Sequence, residues 1–153
     1  MSIFYLDTSA WVKRYEKEAG TAWIEQFWRG GPRIGVSPLG LVEVAAAIAR
    51  RHAGQKVPAD VTNRVLASVR QDYAMFTRVD FVAPVEEVGV ELARRHRLRG
   101  ADAVHLASAL HLRQTADGDV VMVASDAELL AAARAEGLRV LDPQSDPPLP
   151  LTS

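Results

Sequence analysis

The chain has no cysteine, and that one absence removes disulfides, thiolate zinc centres and cysteine nucleophiles together. Net charge is almost missing as well. With 18 Lys and Arg against 19 Asp and Glu, a formal balance of −1, there is no polycationic character of the kind that drives bulk nucleic-acid binding. Contact with nucleic acid must then use a local basic patch. Long apolar runs are absent too: Asp7 cuts the stretch Ile3-Phe4-Tyr5-Leu6 far short of a signal peptide, and no other run approaches a membrane span. These absences predict a soluble, cytoplasmic protein with no membrane role. What 153 residues provide is chain enough for one domain with one substantial core. Residues 1–142 read as that domain, and residues 143–153, with four prolines, as an extended or disordered tail.

Short β-like runs alternate with longer helical ones. Ile3 to Leu6 is rich in strand formers, and Asp7-Thr8-Ser9 is a turn-and-cap cluster that opens a helix through Ala10-Trp11-Val12. Thr21 is a cap for a helix carrying Trp23, Ile24, Phe27 and Trp28, stopped by Gly30-Gly31-Pro32. Arg33 to Val36 is a second strand. Ser37-Pro38 caps a helix from Leu39 to about His52, so apolar before Arg50-Arg51 that it reads as buried on most of its surface. Pro58 opens a helix with Val61, Val65, Leu66, Val69, Tyr73 and Phe76 at helical spacing. A third strand is predicted over Val79 to Ala83, then a helix after Pro84, a basic break from Arg94 to Gly100, and a helix from Ala101 to about Arg113. Val120 to Ala124 forms strand four, a helix follows to Glu136 with Gly137 as its cap, and Leu138 to Leu141 is strand five. The alternation calls for an α/β fold, a three-layer α/β/α sandwich around a mostly parallel five-stranded sheet.

In such sheets ligands sit beyond the carboxyl ends of the strands. Asp7 follows strand one, Asp126 follows strand four, and Glu43 lies within two turns of the helix after strand two. Asp102 follows a helix and a loop, so local rules do not place it with the others. Each of the four acids adjoins an apolar segment that holds no Lys or Arg. Buried carboxylates need a cation, and four together point to a divalent metal.

The residues that carry these acids also carry a resemblance. Tyr5-Leu6-Asp7-Thr8-Ser9-Ala10, Ser37-Pro38-Leu39-Gly40-Leu41-Val42-Glu43-Val44, Ala101-Asp102-Ala103-Val104-His105-Leu106-Ala107 and Val123-Ala124-Ser125-Asp126 together resemble the PIN-domain ribonucleases, in particular the VapC-type toxins of bacterial toxin–antitoxin pairs. The stretch Leu129 to Leu138 resembles that family's last helix and strand. The resemblance implies that Asp7, Glu43, Asp102 and Asp126 hold Mg²⁺ or Mn²⁺, that Ser9 supports the first aspartate, and that the reaction is hydrolysis of RNA to 5′-phosphate and 3′-hydroxyl ends. It further implies a homodimer and an antitoxin partner. For the RNA phosphates the sequence offers Lys13, Arg14, Arg97 and Arg99, beside Arg50, Arg51, Arg94 and Arg95.

Plainer readings stand beside these. Asp7, Asp102 and Asp126 all occupy helix starts, where capping alone accounts for an aspartate. Glu43 is the only charge between Ser37 and Ala49, on a helix that reads as too apolar for a solvated face, which favours a site role. His105 is either a second metal ligand or a hydrogen-bonded structural residue. Trp11, Trp23, Phe27 and Trp28 are either core or the lining of a groove for a partner helix. A haloacid-dehalogenase phosphotransferase needs a second Asp where Ser9 stands, and a receiver domain needs a phospho-acceptor Asp where strand three ends in Ala83-Pro84. The remaining alternative is a catalytically silent binding module of the same fold.

Overall fold

The computed structural model describes residues 1–150. Five strands form one sheet: β1 (Ile3–Leu6), β2 (Arg33–Val36), β3 (Thr77–Arg78), β4 (Val120–Val123) and β5 (Arg139–Leu141), in the order β3-β2-β1-β4-β5. Every pairing is parallel. The helices among the described residues are α1 (Thr8–Trp11), α2 (Thr21–Arg29), α3 (Pro38–Gly54), α4 (Ala59–Met75), α5 (Ala83–His96), α6 (Gly100–Thr115) and α7 (Ala127–Ala135), with a 3₁₀ turn at Val12–Arg14.

Strand alternation divides the interior into two cores. Ile3, Tyr5, Val120 and Met122 face one side and pack with Val85 and Leu92 of α5, Leu106 and Leu110 of α6, and Leu129 and Ala133 of α7. Leu6, Val36 and Val123 face the other and pack with Trp11, Ile24 and Phe27, with Val44 and Ile48 of α3, and with Val69 of α4. Because successive side chains of a strand point to opposite faces, strands buried on both faces read as unbroken apolar runs. The result is the three-layer α/β/α sandwich. Helix α6 seats closely on the sheet: a Cβ at Gly35 of β2 would stand 2.6 Å from Leu112 Cδ2.

Several predicted elements shift. Strand three falls at Thr77–Arg78 instead of Val79 to Ala83, because after Val79, whose amide still bonds Val36 O at 2.8 Å, the chain leaves the sheet and Ala83 already begins α5. Thr21 is not the cap of α2. That place is taken by Gly20 at φ +95, and the Thr21 hydroxyl serves the Glu16–Glu18 turn. Helix α3 buries only the stripe Gly40, Val44, Ile48 and His52, and Val42 on its outer face is 66% exposed. An alanine-rich helix is apolar by composition without being buried all round. The proline-rich segment is not loose over its described length. Pro143 is buried, Trp23 Nε1 donates to Pro147 O at 3.1 Å, and Gln26 Nε2 to Leu149 O at 3.0 Å; the expectation for residues 151–153 lies outside the described residues. No described helix is long and apolar enough to cross a membrane.

Candidate active site

A parallel sheet sends the carboxyl ends of all its strands to one edge. Asp7 leaves β1 there, Ser37 leaves β2, Ser125 and Asp126 leave β4, and Asp142 leaves β5. Asp102 joins them by connectivity. Helix α6 must deliver the chain to the amino end of β4, so it runs antiparallel to the strands. Its 16 residues span about 24 Å, which returns its first turn, with Asp102, to the carboxyl edge.

Asp7 is 3% exposed. Its Oδ1 accepts from Ala10 N at 3.0 Å and its two oxygens accept from Ser9 Oγ at 2.7 and 2.9 Å. Ser9 in turn accepts from Ser125 N at 2.9 Å, which ties the turn after β1 to the turn after β4. Burial pushes the Asp7 carboxyl up to about 6; His105 and the hydrogen bonds from Ser9 and Ala10 oppose the rise, and Asp102 adds to it. So Asp7 does cap α1, as the plainer reading has it, and it does so from a buried position, where an ionised carboxylate is costly without a compensating charge.

Glu43 Oε1 accepts from Thr8 Oγ1 at 2.8 Å and lies 2.6 Å from His105 Nε2. The hydrogen bond from His105, then that from Thr8, holds its carboxyl below the usual range against partial burial. Glu43 does not stand on a helix without a solvated face, since the outer face of α3 is exposed. Its contacts with Thr8 and His105 place it instead. Asp102 is half-buried; burial raises its carboxyl, Asp126 and Glu43 raise it further, and Arg99 and His105 act against them. Asp126 is exposed and caps α7 through Leu129 N at 2.9 Å. Asp102 caps nothing, because α6 begins after Arg99.

His105 is buried, with Nδ1 2.8 Å from the Tyr5 hydroxyl. Sequence reasoning does not single out Thr8, Ser125 or Asp142. Asp142 accepts from Ser125 Oγ at 2.9 Å, and its signal is present: it follows strand five just as Asp7 follows strand one.

The four acids thus gather at one edge, and among the described residues none pairs with a Lys or Arg. Nor do three carboxylate or imidazole side chains among those residues converge in a ready-made metal cage. Each carboxylate instead turns to donors of its own, Asp7 to Ser9 and Ala10, Glu43 to Thr8 and His105, Asp126 to Leu129. The donor set itself is all oxygen, anionic, partly buried and mutually repelling, the chemistry a hard divalent cation fits.

The basic residues sort differently from expectation. Lys13 is 2% exposed and its Nζ bonds Glu18 Oε1 at 2.9 Å, so it is a buried ion-pair partner and not a phosphate contact. Arg51 bonds Glu18 as well, Arg94 pairs with Glu91, and Arg95 pairs with Glu136. Arg14 is exposed and lies 5.0 Å from the Trp28 ring centre; Arg97 and Arg99 are exposed at the break before α6. The aromatic groove is corrected for three of its four members, because Trp11, Trp23 and Phe27 are buried in the core. A hollow of about 350 Å³ lined by Ser37, Pro38, Leu39, Phe81, Ala101 and Val104 opens between the starts of α3 and α6.

Comparison with known proteins agrees with this geometry. The PIN domain model matches residues 4–135. Ribonuclease VapC45 and Ribonuclease VapC49 of two Mycobacterium tuberculosis strains are each 40% identical over 154 residues, covering 96% of this chain and all of theirs. Among solved structures, the Mycobacterium tuberculosis sarcin-ricin-loop-cleaving toxin VapC20 aligns with a TM-score of 0.65 at 20% identity, over 84% of this chain and 94% of that one. A toxin–antitoxin complex from Klebsiella pneumoniae gives a TM-score of 0.65 at 17% identity, over 94% and 98%. With the fold, the acidic edge and the sequence identity in agreement, the chain belongs to the PIN-domain family and, within it, to the VapC ribonucleases.

Proposed function

We propose that this chain is the toxin of a toxin–antitoxin pair, an endoribonuclease that hydrolyses RNA phosphodiesters with Mg²⁺ or Mn²⁺ held by Asp7, Glu43, Asp102 and Asp126. The observation that carries the reading is Asp7: a carboxylate almost wholly buried at the sheet's ligand edge, with three further acids around it and, among the described residues, no Lys or Arg paired to any of them, in a chain 40% identical to named ribonucleases. Ser9 and Ala10 N orient Asp7, and Thr8 and His105 orient Glu43. A bound divalent ion supplies charge neutralisation at the phosphodiester and activation of the attacking water. Arg97 and Arg99, and with them Arg14 and Arg50, are exposed basic side chains available to RNA phosphates. Residues 1–142 act as the catalytic unit, with Pro147 and Leu149 of the following segment bonded to α2. The chain works as a homodimer and is restrained in the cytoplasm by a cognate antitoxin. That partner packs against a surface other than Trp11, Trp23 and Phe27, which the core has taken.

The test is cleavage of RNA by the purified chain with Mg²⁺, with Mn²⁺ and with EDTA, beside Asp7→Asn. Cleavage confined to the wild type with a divalent ion supports the reading. Equal cleavage by Asp7→Asn, or cleavage that persists in EDTA, overturns it. Expression alone should arrest growth, and co-expression with the neighbouring open reading frame should release it.

A further inference from the structure

Glu43 is held by one oxygen only. Its Oε1 takes the Thr8 hydroxyl at 2.8 Å and His105 Nε2 at 2.6 Å, whereas Oε2 takes no hydrogen bond among the described residues. The Glu43 side chain is 31% exposed, while His105 behind it is 2% exposed. An ionised carboxylate only accepts, so His105 Nε2 is the donor in this contact. The ring cannot turn away. Its other nitrogen is 2.8 Å from the Tyr5 hydroxyl, Tyr5 is fully buried on β1, and the two rings meet edge to face with centroids 6.0 Å apart. Thr8 Oγ1 also lies 3.3 Å from His105 Nε2, so Thr8 of α1 and His105 of α6 converge on one carboxylate oxygen of α3, with Tyr5 of β1 behind the imidazole.

We propose that His105, braced by Tyr5, is a positioning residue: it pins Oε1 of Glu43 and thereby presents Oε2 alone to the metal, so that Glu43 ligates through one oxygen in a fixed direction. This rests on the reading of Glu43 as a ligand and adds what sets its geometry. It also removes His105 from the ligand set, since both ring nitrogens are engaged. The physical gain is preorganisation. A glutamate on a half-exposed helix face otherwise loses side-chain freedom when it binds a cation, and partners behind a metal ligand typically change affinity by about ten- to a hundredfold.

The experiment measures Mn²⁺ binding calorimetrically on RNA-free protein, with thermal unfolding in EDTA as the check on folding, for wild type, His105→Leu, His105→Gln, Tyr5→Phe and Asp7→Asn. His105→Leu should bind Mn²⁺ about ten- to a hundredfold more weakly. His105→Gln, whose amide still donates to Glu43, should recover most of that loss, and Tyr5→Phe should fall between them. A merely structural role would lower the unfolding temperature and leave Mn²⁺ affinity unchanged in the folded protein. If His105→Leu does not fold, Tyr5→Phe and His105→Gln carry the test. Folded variants that all bind like wild type overturn the inference and leave the metal reading intact. A wild type that binds no more Mn²⁺ than Asp7→Asn overturns the metal reading and the inference with it.

Discussion

Helix α3 has acidic residues gathered at both of its ends, and their surroundings differ. Near its last turn, Glu18 receives Lys13 Nζ at 2.9 Å and Arg51 Nη2 at 2.8 Å, and Glu16 faces His52 Nε2 at 2.6 Å and Arg51 at 3.7 Å. Burial pushes the Glu18 carboxyl up, but the hydrogen bonds from Arg51 and Lys13 outweigh it and hold the group below its usual range. Among the described residues no donor reaches Glu16 Oε1 with hydrogen-bond geometry, so the close His52 contact is the weaker part of that cluster. Near the first turns of α3, Glu43 and Asp7 take hydroxyl, imidazole and backbone amide donors, and Asp102 feels the charge of Asp126. Amide and hydroxyl donors orient a carboxylate without cancelling its charge, whereas ammonium and guanidinium do both. Depth of burial does not separate the two ends, since Lys13 lies as deep as Asp7. The kind of donor does.

The strongest way to break this contrast is to remove one group from each end. Asp7→Asn should lower cleavage by more than about a hundredfold, beyond what removal of a partner behind a metal ligand costs. Lys13→Met should leave cleavage per folded molecule unchanged and cost about 3 kcal/mol of stability. That is the lower end for breaking a buried pair, because Arg51 still reaches Glu18. Urea unfolding and single-substrate kinetics on both variants decide it. A stable Lys13→Met that loses RNA affinity would show that the C-terminal end of α3 is part of the substrate surface after all.

Acidity sharpens the same contrast. Asp7 has its folded-state carboxyl raised from 3.8 to about 6, so the folded protein favours the protonated form. The stabilisation is complete below the unfolded value and is lost as pH rises through about 6, an effect of roughly 3 kcal/mol for this one group. Glu18 and Glu43 have lowered values, so their contribution is present above 4.5 and is lost only as pH falls below it. Between pH 7 and about 5, metal-free protein should therefore become more stable on acidification. Asp7→Asn should be more stable than wild type at pH 7 and should lose most of that rise. Thermal unfolding in EDTA across this window checks both, and an identical pH profile for the two proteins would remove Asp7 from its buried, unneutralised role.

How far the sequence reveals these two ends follows from the range of the signals. Strand followed by Asp is local, so Asp7 and Asp126 can be read directly, and Asp142 carries the same mark. Ser37-Pro38 is a local cap signal, and Ser37 caps α3 through Leu39 N at 3.1 Å. Asp102 cannot be placed by its neighbours, because its position comes from the path of α6 back across the sheet. Lys13 reads wrongly for a related reason. Nothing adjacent to it announces Glu18, whose approach depends on the turn before Gly20. Helix α3 reads as buried because alanine counts as apolar on any face. His105 is visible only as an isolated imidazole, since Tyr5 lies 100 residues away.

At the outer rim the expected effects are smaller. Arg97→Glu should weaken RNA binding severalfold and flatten its dependence on salt, by about 0.7 in the logarithmic slope for each single-strand phosphate the chain ceases to neutralise. Metal affinity should stay the same, because Arg97 is exposed and makes no ion pair with any of the four acids among the described residues. Filter binding over a salt series reads the slope, and an unchanged slope would take Arg97 off the RNA path.

The smallest effect belongs to Asp126, which carries features of both ends. Its Oδ1 caps α7 by accepting from Leu129 N at 2.9 Å, it is exposed, and its charge raises the Asp102 carboxyl. Asparagine caps a helix about as well as aspartate, so Asp126→Asn should change stability by less than about 0.5 kcal/mol, while Asp102 is relieved of a source of repulsion. An amide oxygen still accepts bonds and coordinates weakly, so cleavage should fall by only about tenfold, well short of the Asp7→Asn effect. Asp126→Ala removes cap and oxygen together and should cost about 1 kcal/mol with a larger fall in cleavage. If Asp126→Asn is as inactive as Asp7→Asn, the fourth carboxylate is needed for its charge. If neither Asp126 variant alters cleavage, Asp126 is a cap, and the unneutralised end of the molecule consists of Asp7, Glu43 and Asp102.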